Sequence, residues 1–379
     1  MIHSEDIFSR TGKKLPGYLE QLEQLVRVES PSEDPAAVNA AQQMTAGWAE
    51  GLGGRVKRYR QKNFGDVYEL RFGPRSSKRR PILILGHLDT VWPHGTLKSM
   101  PWVNKDGKLS GPGVLDMKAG VVMALTAVSV LRELDLLRPV VLLLVSEEEI
   151  GSPVSRPITE RLARESSAVF VLEPAQGLAL KTARKGVGHY ELHVTGVGAH
   201  SGVDFERGHS AVVELARQIE RISSFTDLSR GLTVNPGVIS GGTRSNVIAA
   251  EAHVEIDARI VRASDAQRID RLLRSLKPFD KACKLTLTGG INRPPMERKP
   301  GIVALFKKAQ RLAADLGFEL DEASTGGGSD GNFTAALGVP TLDGMGAVGA
   351  GAHAAHEHIL VEHIVPRTAL LAAMLATVD

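Results

Sequence analysis

Three consecutive glutamates, Glu147, Glu148 and Glu149, follow a run of six apolar residues, Val140 to Val145. Such a run reads as a strand buried on both faces. The carboxylates then sit where that strand leaves its sheet, and like charges so close repel unless something cationic holds them. A solvated loop is one explanation; a strong positive charge at the strand end is the other. Other residues of metal-ligand type fall at similar places. "ILILGHLDT" ends in His87 and Asp89, "GPGVLDMKAG" sets Asp116 at a helix start, "VFVLEP" ends in Glu173, and "GAGAHAAHEH" places His353 in a glycine-rich turn. In open α/β sheets, sites form outside the carboxyl ends of strands. Two histidines and several carboxylates gathered there suit zinc or a similar divalent ion. Each piece alone has an ordinary structural explanation; several of them falling in one architecture point to a metal site.

That architecture is legible in the periodicities. Helical spacing runs over 15–29 and 36–52, followed by short strand-like runs "RVKRY", "VYELRF" and "PILILGHLD". "GPRSSKRR" reads as an exposed turn, and a long apolar helix is predicted over 117–134. The strand 140–145, another helix and the strand "AVFVLEP" follow. This alternation predicts an α/β fold, a mixed sheet with helices on both faces. From about 185 the texture changes to a βαββαβ order: "GVGHYELHVTGV", "GHSAVVELARQIERISSF", "LTVNPGVIS", "NVIAAEAHVEIDARI", "ASDAQRIDRLLRSL" and "CKLTLTGG". That is the split pattern of a ferredoxin-like α+β domain. The expected organisation is a catalytic domain of residues 1–184 and 297–379, interrupted by an inserted domain of residues 185–296. The resumed chain reads as a helix near 301–316, the turn "TGGGSDGN", a strand "VPTLDGM" and a C-terminal helix.

Composition narrows the function classes. The 379 residues carry 46 basic and 43 acidic side chains, a formal net charge of +3, which argues against a dedicated nucleic-acid or acidic-membrane binder. A single cysteine, Cys283, excludes an internal disulfide and reads as packing. The first residues, "MIHSEDIFSRTGKK", lack a signal-peptide core, and the longest apolar run, "VVMALTAVSVL", is interrupted and short for a membrane span. A cytoplasmic protein is the expectation.

Taken together, "GHLDTV", "GPGVLDMKAG", "SEEEIGS", "FVLEP", "GVGAHSG", "GGTRSNVI", "TGGGSD" and "GAHAAHE" resemble, in this order and over nearly the whole chain, the dizinc metallopeptidases. That family includes aminoacylase, acetylornithine deacetylase, succinyl-diaminopimelate desuccinylase and glutamate carboxypeptidase, and the similarity leans to the last branch. The resemblance implies two Zn2+ per subunit, with Co2+ or Mn2+ as substitutes. His87 and Glu173 would bind one ion, Glu149 and His353 the other, and Asp116 would bridge both. Asp89 would hold the His87 imidazole, and the Asp116–Met117 peptide bond would be cis. Glu148 would be the general base for a water held between the metals. Glu147 stands where relatives usually carry aspartate and reads as a solvated neighbour. His200 matches a histidine that helps bind the tetrahedral intermediate. Asn246 and Arg293 match residues that hold the substrate's free carboxylate, for which an arginine fork is suited, and Gly328 would line the same pocket. A surface arginine before Pro294 is the other explanation of Arg293. Relatives with such an insert often dimerise through it, which implies a homodimer and a His200 that serves the partner's site; the insert would also act as a lid.

The activity so implied is a carboxypeptidase releasing a C-terminal amino acid, glutamate among the candidates, from N-acyl or peptidyl substrates. A deacylase of N-acylated amino acids would use the same chemistry with a smaller acyl pocket. A non-catalytic metal- or carboxylate-binding protein is a third reading, opposed by Glu148, since binding needs ligands but no base. A nucleotide-binding oxidoreductase rests only on "GMGAVG", which runs into His353 and lacks the βαβ setting of a dinucleotide fingerprint. Among the three histidines of "HAAHEH", the spacing in the resembled family, with an acidic residue four places on (Glu357), implies His353 as the ligand, leaving His356 and His358 exposed.

Overall fold

Alternate residues of the strand Ile82–His87 face two different apolar cores. Ile82 and Ile84 belong to one, Leu83 and Leu85 to the other. The same division holds for Val140–Val145, whose six residues are all buried. A strand covered on both faces has no position for a polar side chain until it leaves the sheet, which explains the continuous apolar run. The computed structural model describes residues 4–378 and divides the chain into two units. One comprises residues 1–183, 298–324 and 329–379, the other residues 184–297 and 325–328.

The larger, α/β unit holds a six-stranded sheet in the order Arg55–Tyr59, Val67–Phe72, Val140–Val145, Ile82–His87, Ala168–Val171 and Thr341–Leu342. The first two strands run antiparallel to their neighbours; the pairings from Val140–Val145 onward are parallel. Helices Ser4–Val26, Ala119–Glu133 and Ile364–Thr377 pack over one core, and Arg156–Glu165 covers the other. The first helix starts eleven residues before the predicted 15. Ile7, Thr11, Tyr18, Leu22 and Leu25 make one buried stripe that the polar surroundings of Ile7 conceal in the sequence. The predicted strand "VPTLDGM" shrinks to Thr341–Leu342. Val114–Glu133 is long and apolar enough to cross a bilayer, contrary to the reading of its sequence. Since 89% of that window is buried within the protein, its apolarity is that of a core helix.

The smaller unit holds an antiparallel sheet in the order Thr233–Gly241, Glu251–Ile260, Gly186–Thr195 and Lys284–Arg293. In chain order this is 2-3-1-4, with helices Ala211–Ser223 and Ala263–Arg274 after the first and third strands. Tyr190, Leu192, Val194, Leu215, Val254, Ile256, Ile269 and Cys283 share its core, so Cys283 is packing as expected.

Candidate metal centre

Register brings the chemistry to the carboxyl ends of adjacent interior strands. His87 pairs with Val145 in the parallel ladder, and Leu85 pairs with Val171. Two residues beyond that second pair, Glu173 comes level with His87, and the turn Ser146–Glu149 begins beside them. Asp116 arrives from the distorted turn Val114–Lys118 that precedes the core helix, where its backbone is extended (φ −113°, ψ 96°) and its peptide bond to Met117 is cis, as the resemblance implied. His353 comes from a turn closed by Ala354 N–H to Gly351 O, 2.8 Å, and is one of few non-glycine residues with left-handed φ, +61°. Such a conformation costs of order 1–3 kcal/mol and persists only where the surroundings enforce it.

The side chains converge. His87 Nε2 lies 3.2 Å from Asp116 Oδ1 and 3.8 Å from Glu173 Oε1. His353 Nε2 lies 3.4 Å from Asp116 Oδ2 and 3.2 Å from Glu149 Oε2. Asp116 thus turns one oxygen to each histidine. Potential ligand atoms of His87, Glu148 and Glu173, and of His87, Asp116 and Glu149, lie within 4.8 Å of one another. These separations are long for charge-assisted hydrogen bonds, which close to about 2.7–2.9 Å. They match the edges of a tetrahedron around an ion with bonds near 2.0–2.2 Å, about 3.3 Å. Glu149 Oε1 is buried and has no hydrogen-bond partner among the described residues. A buried carboxylate oxygen left so is costly, and a bound cation would satisfy it. On both counts the residues fit a metal.

The supporting contacts fix orientation. His87 Nδ1 donates to Asp89 O, 3.0 Å, which turns Nε2 toward the carboxylates. Asp89 is fully buried and accepts from Glu148 N–H (3.2 Å), Glu149 N–H (3.1 Å) and Ser32 Oγ–H (2.8 Å), so one side chain braces the histidine turn and the glutamate turn together. Electrostatics follow from this crowding. Burial pushes Glu149 up to about 7, with the Asp116 and Glu148 charges adding to it. Hydrogen bonds to Asp116 and Glu149 raise His353 to about 10. Burial opposes the His87 cation, yet Asp116 and Asp89 hold it well above its ordinary value. Burial likewise opposes the Asp116 anion, but the two histidines take it below the usual carboxylate range. The cluster therefore attracts positive charge.

One expectation is overturned. Glu147 is not a solvated neighbour: it is 0% exposed and accepts four hydrogen bonds. Ser146 N–H (3.1 Å) and Oγ–H (2.7 Å) meet Oε2, and Val154 N–H (3.1 Å) and Ser155 N–H (2.6 Å) meet Oε1. The first glutamate of the triplet is the internal brace of the turn that presents the other two. Glu357 was legible only as a spacing mark; the structure makes it a buried acceptor of four donors. Nothing local in the sequence separates a bracing glutamate from a solvated one. Of the other histidines in the His353 turn, His356 is exposed, while His358 is half-buried at the start of the strand His358–Leu360.

In the smaller unit His200 and Asn246 are exposed and adjacent, with Ser201 N–H donating to Asn246 O at 3.0 Å and Gly202 N–H to His200 Nδ1 at 3.1 Å. Arg293 is 8% exposed and so is no surface arginine. Its stem passes Gly328 so closely that a Cβ there would lie 2.8 Å from Arg293 Cδ.

A model of the peptidase family M20/M25/M40 matches residues 83–377, a span that contains every residue of the cluster. The chain belongs to this family. It is 27% identical over 380 residues to carboxypeptidase G2 of Pseudomonas sp. (strain RS-16), covering 97% of this chain and 91% of that protein. With succinyl-diaminopimelate desuccinylase of Delftia acidovorans it shares 28% identity over 320 residues, covering 76% and 79%. The crystal structure of aminopeptidase PepT from Bacillus cereus superposes with a TM-score of 0.76 at 21% identity, covering 96% of this chain and 98% of that one. This M20-family chain is therefore a hydrolase of peptide or linear amide bonds, of mixed α/β fold, with a metal-binding group of histidine, aspartate and glutamate.

Proposed function

We propose that the chain is a two-metal carboxypeptidase that releases a C-terminal amino acid, with glutamate the first candidate, from N-acyl or peptidyl substrates. The observation that carries this reading is Asp116, which presents Oδ1 to His87 and Oδ2 to His353, each histidine having its own glutamate, Glu173 or Glu149. His87 and Glu173 would hold one ion and Glu149 and His353 the other, with Asp116 shared. A divalent pair, zinc by the donor set, supplies a polarised carbonyl and a more acidic water when bound. Glu148, beside His87 and Glu173 and held at its backbone by Asp89, takes the proton from the attacking water. The water oxygen bonds to the carbonyl carbon, the C–N bond breaks, and Glu148 returns the proton to the leaving nitrogen, giving a carboxylic acid and a free amine. Asn246 and Arg293 receive the substrate's α-carboxylate, with Gly328 leaving room for the arginine stem, and His200 steadies the oxyanion. The full-length similarity to carboxypeptidase G2 supports this leaving group.

The smaller unit, read as a ferredoxin-like insert, serves as lid and dimerisation surface. Its edge strand Thr233–Gly241 exposes Val238 and Ile239, which favours a homodimer. His200 then acts in the partner's site, and co-refolded Glu148→Ala and His200→Ala chains regain activity that neither homodimer has. No recovery, or a monomer in sedimentation, removes the trans arrangement. The substrate reading is tested on zinc-loaded protein with a panel of N-acyl amino acids and short peptides, following the released amino acid. Cleavage confined to acetyl or succinyl amides turns the assignment to a deacylase, and no cleavage of any member overturns both.

A further inference from the structure

We infer that Glu357 is a positioning residue that locks three ligand-bearing turns into one arrangement, and that metal affinity depends on it. The inference rests on the metal reading above. Glu357 is 0% exposed. Its Oε2 accepts from Trp92 Nε1–H, 2.8 Å, and Gly113 N–H, 3.0 Å. Its Oε1 accepts from Leu115 N–H, 2.8 Å, and Asp116 N–H, 3.1 Å. Trp92 lies on the segment that leaves the strand of His87 and carries Asp89. Gly113, Leu115 and Asp116 form the turn that aims the Asp116 carboxylate. Glu357 itself ends the turn of His353, its N–H bonded to Ala354 O at 2.9 Å.

A carboxylate is the only side chain that suits four donors. It offers about four lone-pair sites on two oxygens, whereas an amide offers two and turns an NH2 toward the remaining donors. Gly113 shows how tight the arrangement is. It has φ +69°, and a Cβ there would lie 2.6 Å from Thr90 Cγ2, so its N–H reaches Glu357 only because the position is glycine. The three turns join different strands and helices; this carboxylate bonds with two of them and belongs to the third. Groups that orient metal ligands from outside typically change metal affinity about 10–100-fold when removed.

The test is zinc binding by the metal-free full-length protein, measured by calorimetry against a competing chelator, alongside the melting temperature of the metal-free form. Glu357→Gln is expected to weaken zinc about 10–100-fold. Trp92→Phe, which keeps a ring but removes one donor, is expected to weaken zinc severalfold with the metal-free melting temperature unchanged. Because both act through the same carboxylate, the double variant should be less impaired than the product of the two single effects. If Glu357→Gln does not fold, Trp92→Phe alone decides. Wild-type zinc affinity in the variants that fold, or a loss confined to metal-free melting temperature, overturns the inference. A wild-type chain that takes up no zinc overturns the metal reading, and this one with it.

Discussion

In the α/β unit Asp89 receives three donors and Glu147 four, both fully buried, and the histidines and carboxylates beside them sit 3.2–3.8 Å apart. In the smaller unit His200 and Asn246 stand exposed, Gly328 is half-buried, and only Arg293 of the four candidates is buried. The two regions solve different problems. Ligand geometry must exist before an ion arrives, since misplacement of about 1 Å is costly where charges are buried and close. Residues that meet a substrate can be ordered by it, at an entropic cost of about 0.5–1.5 kcal/mol per side chain. The carboxylate cluster is thus prepared by folding; for the exposed pair in the smaller unit, the proposed substrate role would leave part of the ordering to binding.

Metal removal probes that difference most severely. Stripping with a chelator should abolish turnover, and zinc should restore it. The histidines predict the pH dependence of reloading. His353 at about 10 and His87 well above 6.5 hold protons against their carboxylates near neutrality. Each imidazole must lose its proton to bind an ion, so zinc affinity falls as pH falls, and uptake near pH 7 releases protons. Calorimetry in two buffers of different protonation enthalpy counts them; a count of zero would separate the histidines from the metal. Next in size, Glu148→Ala should lower kcat about 10²–10⁴-fold, the usual contribution of a positioned base, while elemental analysis still finds the wild-type metal content. Loss of the metal in that variant would make Glu148 a ligand.

Arg293→Ala sharpens the comparison from the other side. It should cut kcat/KM about 10–100-fold for a substrate with a free α-carboxylate, the range for a hydrogen bond to a charged group, and leave metal content intact. Amidating the substrate's carboxylate should produce a similar loss in the wild type, and equal cleavage of acid and amide would discard the carboxylate role. The smallest effect is expected at Glu147. Glu147→Gln faces an NH2 toward backbone donors and should cost about 1–3 kcal/mol of stability, read as a lower denaturation midpoint. An unchanged midpoint would mean that the turn is held by something else.

Strand and helix alternation, the β-α-β-β-α-β order of the inserted segment and the residue types of the cluster are all written locally. Apolar runs, capping residues and glycine turns act over a few positions, so a linear reading recovers them. The motifs around His87, Asp116, Glu149, Glu173 and His353 are local in the same sense. What tertiary structure alone decided is which carboxylates meet the histidines and which meet backbone donors. Ladder register sets His87 level with Glu173 and beside the glutamate turn, and register depends on pairing between strands more than 50 residues apart. Glu147 and Glu357 look like surface residues in a polar context, yet each meets four donors. Glu147 meets a backbone that turns back on it, and Glu357 meets segments some 240 residues away. A carboxylate's own sequence neighbourhood holds no record of donors delivered by distant chain. The folded backbone brings those donors together, and only there do equal-looking glutamates become candidate ligand, base or brace.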